Sequence, residues 1–219
     1  MKKKRLTLIH TSGVMIPLFS ELCRDLLPDI ETVHMIDESV LKAILKDGCL
    51  TKSTARRVVN HILSADQAGT DAILVTCSSI GKATELGREL AESPVIRVDE
   101  PMVKKAVEIG KRIGVVATLP STLNPTVDLI QRQTADSLAV TAKLCEGAFE
   151  AVLSGDTATH DKIVSGGILE LADQVDVIVL AQASMERAVR SLPADKVTVP
   201  VLSSPRPAIE HLAQELLSC

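Results

Sequence analysis

Aromatic residues are almost absent from this sequence. Its 219 residues include no Trp, no Tyr and only two Phe, Phe19 and Phe149. Hydrophobic residues still make up 46% of the chain, so its core must be built mainly from Val, Ile, Leu and Ala. This composition is typical of parallel strands that helices cover on both faces.

A surplus of basic charge is also missing. The net charge is −4, the isoelectric point is about 5.8, and the only basic cluster is Lys2–Arg5. Without a basic surface or aromatic stacking platforms, the chain lacks the features that commonly bind nucleic acids. We therefore expect no nucleic-acid partner.

Long apolar runs are missing as well. No stretch of the sequence approaches the roughly 18 apolar residues of a membrane-spanning helix. Near the start, His10–Gly13 interrupt the apolar region that a secretory signal peptide needs. The sequence therefore predicts a cytoplasmic protein that does not associate with membranes.

The cysteines and histidines form no metal-binding or disulfide pattern. The five cysteines are widely spaced and include no CxxC pair, and the five histidines show no ligand spacing. Such a pattern predicts neither a disulfide scaffold nor a zinc site. Neither a GxGxxG nor a GxxxxGKS/T motif is present. We therefore expect no metal and no bound cofactor. The cysteines are Cys23, Cys49, Cys77, Cys145 and Cys219.

The sequence repeats itself once. Residues 71–83 align without gaps on residues 176–188, and residues 5–11 align on residues 112–118. The Pro-Val-Ile of residues 94–96 likewise matches Pro-Val-Leu, 106 positions later. Three matches in order and at nearly one offset predict two duplicated halves rather than a long repeat array.

Each half alternates predicted strands and helices. Apolar runs of about five residues predict strands over Leu6–Ile9, Thr32–Ile36, Ala72–Val75, Val95–Val98, Ile113–Ala117, Ala139–Leu144, Val177–Leu180 and Val199–Leu202. Stretches with helical periodicity predict helices near 15–27, 52–68, 80–91, 101–110, 122–133, 157–173, 184–191 and 206–217. This alternation predicts an α/β fold with a parallel sheet in each half.

The halves define two lobes. We expect the first lobe to comprise residues 1–98 with a returning C-terminal helix, 205–219, and the second to comprise residues 99–204. Parallel sheets bind ligands beyond the carboxyl ends of their strands. We therefore expect an active site in a cleft between two pseudo-symmetric lobes.

Cys77 is the main candidate for chemistry because it follows a buried strand and precedes a helix. Thr76, Ser78 and Ser79 surround it, and Gly81 follows. A serine at such a position is a good N-cap, and the free amides of a first helical turn can hold a carboxylate. The same helix end is expected to lower the pKa of the thiol. The alternative is a small buried side chain without a function.

The surroundings of Cys77 resemble a known family. The Thr-Cys-Ser-Ser turn at 76–79, the segment 112–122 and the helix segment 101–106 are similar to motifs of the aspartate/glutamate/hydantoin racemase superfamily. The resemblance implies an isomerase of the racemase or epimerase type that acts on a small carboxylic acid or amino acid. It also implies two catalytic cysteines, one per lobe, no metal or cofactor, and a homo-oligomer of two or more copies.

The sequence departs from that pattern at the second cysteine, whose position is taken by Gln182. A carboxamide donates and accepts hydrogen bonds but does not serve as an acid or base at neutral pH. Gln182 is therefore a candidate for orienting the substrate or stabilising an oxyanion. A one-sided reaction, decarboxylation or double-bond isomerisation, would need only the thiol at Cys77.

Alternatively, another group supplies the second proton. His10 is the first candidate because it follows the first strand and has a suitable pKa; the alternative is a packed histidine. The acids Asp37, Glu38, Asp99 and Glu100 are further candidates, although each pair fits a helix N-cap equally well.

Several hydroxyl groups are candidates for holding a substrate carboxylate. They follow the first strand of each half or flank Cys77 and Gln182: Thr11, Ser12, Thr76, Ser78, Ser79, Thr118, Ser121, Thr122 and Ser184. Ordinary turn and cap hydrogen bonds are the alternative for these residues. A two-lobed protein that binds a small acid without catalysis also remains open.

Overall fold

The computed structural model of the chain describes residues 3–134, 137–190, 192 and 196–217. The chain divides into two compact units, Met1–Val98 with Pro205–Cys219, and Asp99–Ser204. Its strands are β1 (Arg5–His10), β2 (Glu31–Ile36), β3 (Ala72–Val75), β4 (Val95–Arg97), β5 (Arg112–Ala117), β6 (Ala139–Leu144), β7 (Val177–Leu180) and β8 (Val201–Leu202). Its helices are α1 (Ile16–Leu26), α2 (Glu38–Asp47), α3 (Lys52–Gln67), α4 (Gly81–Arg88), α5 (Glu100–Ile109), α6 (Pro120–Arg132), α7 (Ala148–Leu153), α8 (Thr157–Ala172), α9 (Glu186–Arg190) and α10 (Pro205–Leu217).

Each unit contains one four-stranded parallel sheet. The order is β2-β1-β3-β4 in the first unit and β6-β5-β7-β8 in the second, so corresponding strands occupy corresponding places. The registers correspond as well, since Ile9 pairs with Val75 and Val116 pairs with Leu180. The predicted α/β fold with two parallel sheets is confirmed.

Alternation along the central strands buries both faces of each sheet. In β3, Ala72 and Leu74 pack in a core with α1 and α10, whereas Ile73 and Val75 pack in a second core with α2, α3 and α4. The second sheet is covered in the same way by α8 and α9 on one face and by α5 and α6 on the other. The near-absence of aromatic residues is therefore matched by cores of branched aliphatic side chains.

Two helices were not predicted from the sequence. Asp37 caps α2 by accepting a hydrogen bond from the Ser39 N–H, and Gly48 ends the helix with φ of +71°. The buried side chains of α2 are only Val40 and Ile44, so its apolar stripe is narrow. The other unpredicted helix, α7, has six residues, too few for a clear period. The predicted strand at Val199–Leu202 is shortened to Val201–Leu202.

Candidate active site

Two equivalent turns follow the central strands β3 and β7. In the first unit, Cys77 stands in extended conformation (φ −128°, ψ 116°) directly before a 3₁₀ turn, Ser78–Ile80, that leads into α4. In the second unit, Gln182 has nearly the same conformation (φ −137°, ψ 137°) before the 3₁₀ turn Ala183–Met185. The predicted correspondence of Cys77 and Gln182 thus extends to their backbone geometry.

The surroundings of the Cys77 thiol correct one expectation. Cys77 is half-buried, and this burial raises the pKa of its thiol above the ordinary value. The hydroxyls of Thr11 and Ser79 and the backbone N–H groups of Ser79 and Ile80 oppose that rise, but they do not reverse it. The predicted lowering of the pKa by the helix end was wrong, because desolvation outweighs the hydrogen bonds.

Ser78 and Ser79 are buried within the 3₁₀ turn. Neither is an N-cap as predicted, because the turn places Cys77 itself at the cap position without a capping hydrogen bond from its side chain. The Ser79 hydroxyl favours the thiolate of Cys77, yet it makes no hydrogen bond of normal geometry to the described residues. A buried hydroxyl without such a bond is unusual and points to a ligand or water that completes it.

The residues after β1 place one hydroxyl beside Cys77. Thr11 is buried and its hydroxyl interacts with the thiol. Ser12 precedes a short 3₁₀ turn, and its side chain makes no capping bond. The next backbone N–H, that of Gly13, donates to the Glu38 carboxylate at 3.3 Å.

His10 does not have the environment of an acid–base group. It ends β1 and is 1% exposed. Its Nδ1 lies 2.9 Å from the Thr76 hydroxyl, and its Nε2 lies 2.9 Å from His34 Nδ1. Burial, followed by the charge of His34, lowers the pKa of His10 to about 4. With both ring nitrogens engaged, His10 is a packed, neutral histidine at pH 7, which disfavours it as the second proton donor.

The acidic candidates differ in their surroundings. Asp37 accepts hydrogen bonds from Ser39, Arg57 (2.5 Å) and His61 (2.8 Å). These partners hold the pKa of Asp37 well below its usual range despite some burial. Asp99, in the second unit, is fully buried at the start of α5, and Glu100 is the first residue of that helix.

Gln182 is held by its own unit. Its Oε1 accepts a hydrogen bond from the backbone N–H of Thr118 at 2.7 Å, and its Nε2 donates to the Thr118 hydroxyl at 2.6 Å. Both ends of the carboxamide therefore bind one residue of the loop after β5. The amide nitrogen thus occupies the Thr118 hydroxyl, which the sequence analysis assigned to a substrate carboxylate.

The remaining predicted hydroxyls differ in availability. Thr122 donates to the Leu119 carbonyl at 2.9 Å and so makes an ordinary turn bond. Ser121 has a buried hydroxyl without a partner among the described residues, as Ser79 does. Ser184, the counterpart of Ser79, is exposed.

A buried arginine beneath the Cys77 turn was not predicted. Arg97, 2% exposed at the end of β4, forms an ion pair with Glu85 of α4. Its guanidinium lies against Gly81, where an added Cβ would come within 2.3 Å of Arg97 Cζ. The glycine in the Ser-Ser-Ile-Gly segment was the available signal, since glycine admits such a close approach.

Other features of the described residues are less informative. They include no group of three His, Cys, Asp or Glu residues that could hold a metal ion, and no helix long and apolar enough to cross a membrane. A cavity of about 460 Å³ lies in the second unit beside Lys143, Cys145 and Gly167, but none of the predicted substrate-binding residues lines it. Cys219 lies outside the described residues.

Comparison with known proteins decides the family. A model of the family described as Asp/Glu/Hydantoin racemase matches residues 8–212. The chain belongs to this family. The resemblance inferred from three motifs is confirmed, and so is the enzyme class, because racemases are isomerases.

Solved structures of racemases share the fold. Glutamate racemase from Francisella tularensis in complex with D-glutamate matches with a TM-score of 0.76 at 16% identity, over 100% of this chain and 82% of that one. Allantoin racemase from Klebsiella pneumoniae matches with 0.71 at 20%, over 98% and 88%. Aspartate racemase from Picrophilus torridus matches with 0.69 at 14%, over 98% and 93%. None of the curated proteins compared with this chain matches it in sequence.

Within this family, the matched region of the chain includes both turns and both hydroxyl-bearing loops. The differences between the two turns therefore lie inside the family fold and not in an appended segment.

Proposed function

We propose that this protein catalyses cofactor-independent proton transfer at the carbon next to the carboxylate of a small acid or amino acid, with Cys77 as the acid–base group. The observation that carries the proposal is the pairing of a half-buried thiol with the buried Ser79 hydroxyl, which makes no normal hydrogen bond to any residue that the structure describes. Family membership supplies the reaction class.

The substrate carboxylate would bind at the Cys77 turn. The Ser79 hydroxyl is available there, and the N–H groups of Ser79 and Ile80 point toward the thiol. The Ile80 N–H already donates to the Cys77 carbonyl at 3.3 Å, so the Ser79 hydroxyl is the donor at this turn that an anion would complete. In the second unit, the buried Ser121 hydroxyl likewise has no partner among the described residues.

In the direction of proton removal, the thiolate of Cys77 takes the α-hydrogen as a proton. The C–H bond breaks, an S–H bond forms, and the electron pair stays on the carbon and delocalises into the carboxylate. In the reverse direction the thiol returns the proton. Because burial raises the pKa of Cys77, the resting group is the protonated thiol, which is ready to act as an acid.

A one-sided reaction is the second candidate, and two observations favour it. Gln182 stands where the family has a second thiol, and both ends of its carboxamide bind Thr118. The resting Cys77 is a proton donor. In a decarboxylation, the C–C bond to a carboxylate would break, carbon dioxide would leave, and the thiol proton would pass to the carbon that keeps the electron pair. In a double-bond isomerisation, the same thiol would protonate an enolate-like carbon.

Deuterium exchange in the recovered acid tests proton transfer at the carbon next to the carboxylate. We expect the protein in heavy water to introduce α-deuterium into at least one acid from a panel of L- and D-aspartate, L- and D-glutamate and substituted hydantoins. Cys77→Ala should reduce the rate by about 10²-fold or more, as expected for loss of a general acid–base. Mass spectrometry of the recovered acid measures the exchange.

Cys49→Ala is the matched control, because Cys49 is exposed and should not affect exchange. If Cys77→Ala exchanged deuterium at the wild-type rate, the role of Cys77 would be refuted. If the acids bound without exchange, loss of carbon dioxide or migration of a double bond, the protein would be a binding module and not an enzyme of this type.

A further inference from the structure

A continuous chain of hydrogen bonds ends at the residue before Cys77. The Ser20 hydroxyl on α1 lies 3.2 Å from His34 Nε2 on β2, and His34 Nδ1 lies 2.9 Å from His10 Nε2 on β1. His10 Nδ1 then lies 2.9 Å from the Thr76 hydroxyl. The four side chains thereby connect one helix and three adjacent strands or strand ends of the first unit.

The hydrogen bonds of Thr76 determine which group donates and which accepts at each step of this series of hydrogen bonds. The Thr76 hydroxyl also donates to the Ile9 carbonyl at 3.1 Å, so its single proton is used there, and it accepts from His10 Nδ1–H. His10 Nε2 must then accept from His34 Nδ1–H, and His34 Nε2 accepts from Ser20. Every donor and acceptor of both rings is satisfied when both histidines are neutral and carry their proton on Nδ1.

The surroundings favour that neutral state. His10 packs against Phe19 with ring centroids 5.7 Å apart, and its ring lies within 20° of the plane of His34. Burial lowers the pKa of both histidines. Neutral rings with one donor and one acceptor each are the form that this arrangement requires.

The matching positions of the second unit, all of them described, cannot form such a series of hydrogen bonds. The two sheets have the same registers, so equivalent positions can be compared. Ala117 is equivalent to His10, Ala142 to His34 and Ala181 to Thr76. Three polar residues of the Cys77 unit thus have alanine at every matching position of the Gln182 unit. Fold stability alone does not demand the chain, because an equivalent sheet forms without it.

We propose that His34 and His10 are positioning residues that fix Thr76 and, through it, the turn that presents Cys77. This inference rests on the proposed role of Cys77. The Thr76 side chain and backbone N–H both bind the Ile9 carbonyl, and His10 holds the hydroxyl in that orientation. The chain thereby holds the end of β3 against β1, so that the thiol stays half-buried beside Thr11.

Two substitutions at His34 separate this role from mere packing. His34→Phe keeps a ring of similar size but removes the donor to His10. His34→Asn keeps a side-chain N–H near the place of Nδ1–H. We expect Cys77 in His34→Phe to be alkylated by iodoacetamide about tenfold faster at pH 8, because a loosened turn reduces the burial that raises its pKa, and one pKa unit is a tenfold change in thiolate. His34→Asn should restore the wild-type rate and pH profile.

The remaining cysteines serve as internal references in the same mass-spectrometric experiment. Exposed Cys49 reports the reactivity of the reagent, and buried Cys23 on α1 reports local unfolding. His211→Phe, on the exposed face of α10, is the matched control and should leave Cys77 unchanged. The inference is overturned if His34→Phe leaves the pH profile of Cys77 unaltered, if His34→Asn reacts as fast as His34→Phe, or if Cys23 accelerates together with Cys77.

Ring protonation provides an independent readout. Long-range ¹H–¹⁵N spectra of the wild-type protein at pH 7 should show both His10 and His34 protonated on Nδ1 and not on Nε2. Protonation of either ring on Nε2 would contradict the direction of the chain. Neither spectra nor alkylation requires turnover, so absence of deuterium exchange in the wild type would refute the proposed function while these results still decide the role of the histidines.

Discussion

The Cys77 turn and the Gln182 turn share a backbone but differ in nearly every side chain around them. Both follow the third strand of a sheet with the same order, and both begin a 3₁₀ turn. Asp71 and Asp176, one at the foot of each central strand, even accept equivalent bonds from the N–H groups of Arg5 and Arg112, at 2.7 and 2.9 Å.

The difference lies in where the polar groups are directed. In the Gln182 turn, the carboxamide of Gln182 hydrogen-bonds to the backbone N–H and the hydroxyl of Thr118 in the same unit. In the Cys77 turn, the Ser79 hydroxyl makes no normal hydrogen bond to the described residues, while His10 and His34 hydrogen-bond to the strand end through Thr76. The two turns therefore differ in whether their polar side chains are hydrogen-bonded within the described part of the chain.

Substitution of the residue that starts the helix after each turn, Gly81 in the first unit and Glu186 in the second, should give the largest difference in stability. Arg97 lies against Gly81 in the first unit, whereas at the equivalent place in the second unit Ser203 donates to Glu186 at 3.1 Å. We expect Gly81→Ala to lower the free energy of unfolding by about 4 kcal/mol, because the new Cβ displaces a buried guanidinium from its pairing.

Glu186→Ala is the matched change and should cost less than about 1 kcal/mol, since it removes a partly exposed hydrogen bond from Ser203 and a surface ion pair with Arg190. Urea denaturation of the three proteins measures both effects. Equal losses for Gly81→Ala and Glu186→Ala would show that the two turns are supported alike.

The histidine chain should make the first unit sensitive to acid. The pKa of His10 is about 4 in the folded protein, against 6.5 for the free side chain. As pH falls from 6.5 to 4, the unfolded chain gains a proton that the folded protein does not, so stability decreases. The decrease from His10 is about 3 kcal/mol.

His10→Gln removes this contribution. The stability difference between wild type and His10→Gln, measured by urea denaturation, should therefore rise with pH from 4 to 6.5 and then become constant. A difference independent of pH would mean that His10 titrates normally and is not part of a closed chain.

Removal of the two hydrogen bonds between Gln182 and Thr118 in the second unit should give the smallest effect on stability. Gln182→Ala leaves the backbone N–H of buried Thr118 without its partner and should lower stability by about 1–2 kcal/mol. Gln182→Glu keeps an oxygen acceptor and should lose less. Thermal unfolding of both variants checks this order. An Ala variant as stable as wild type would mean that the hydrogen bonds between Gln182 and Thr118 do not stabilise the protein.

Within the described residues, the sequence was sufficient to predict all eight strands, eight of the ten α-helices and the correspondence of Cys77 with Gln182. Alternation and repetition are properties of the chain itself, so they can be read from the residues alone. The direction in which the pKa of Cys77 is shifted could not be predicted from the residues, because burial and hydrogen bonds act on that pKa in opposite senses. The partners of His10 and Arg97 were also missed, since they come from other strands and helices, at His34, Gly81 and Glu85.

The stereochemistry of exchange tests the central claim, a single acid–base group at Cys77, most directly. The acid that exchanges fastest is incubated as one enantiomer in heavy water, and deuterium content and configuration are followed in the same samples. A lone thiol predicts that deuterium enters with retained configuration well before the mirror image forms, and that Cys77→Ala abolishes the exchange. Inversion that keeps pace with exchange would require a second acid–base group on the opposite face and would contradict this account.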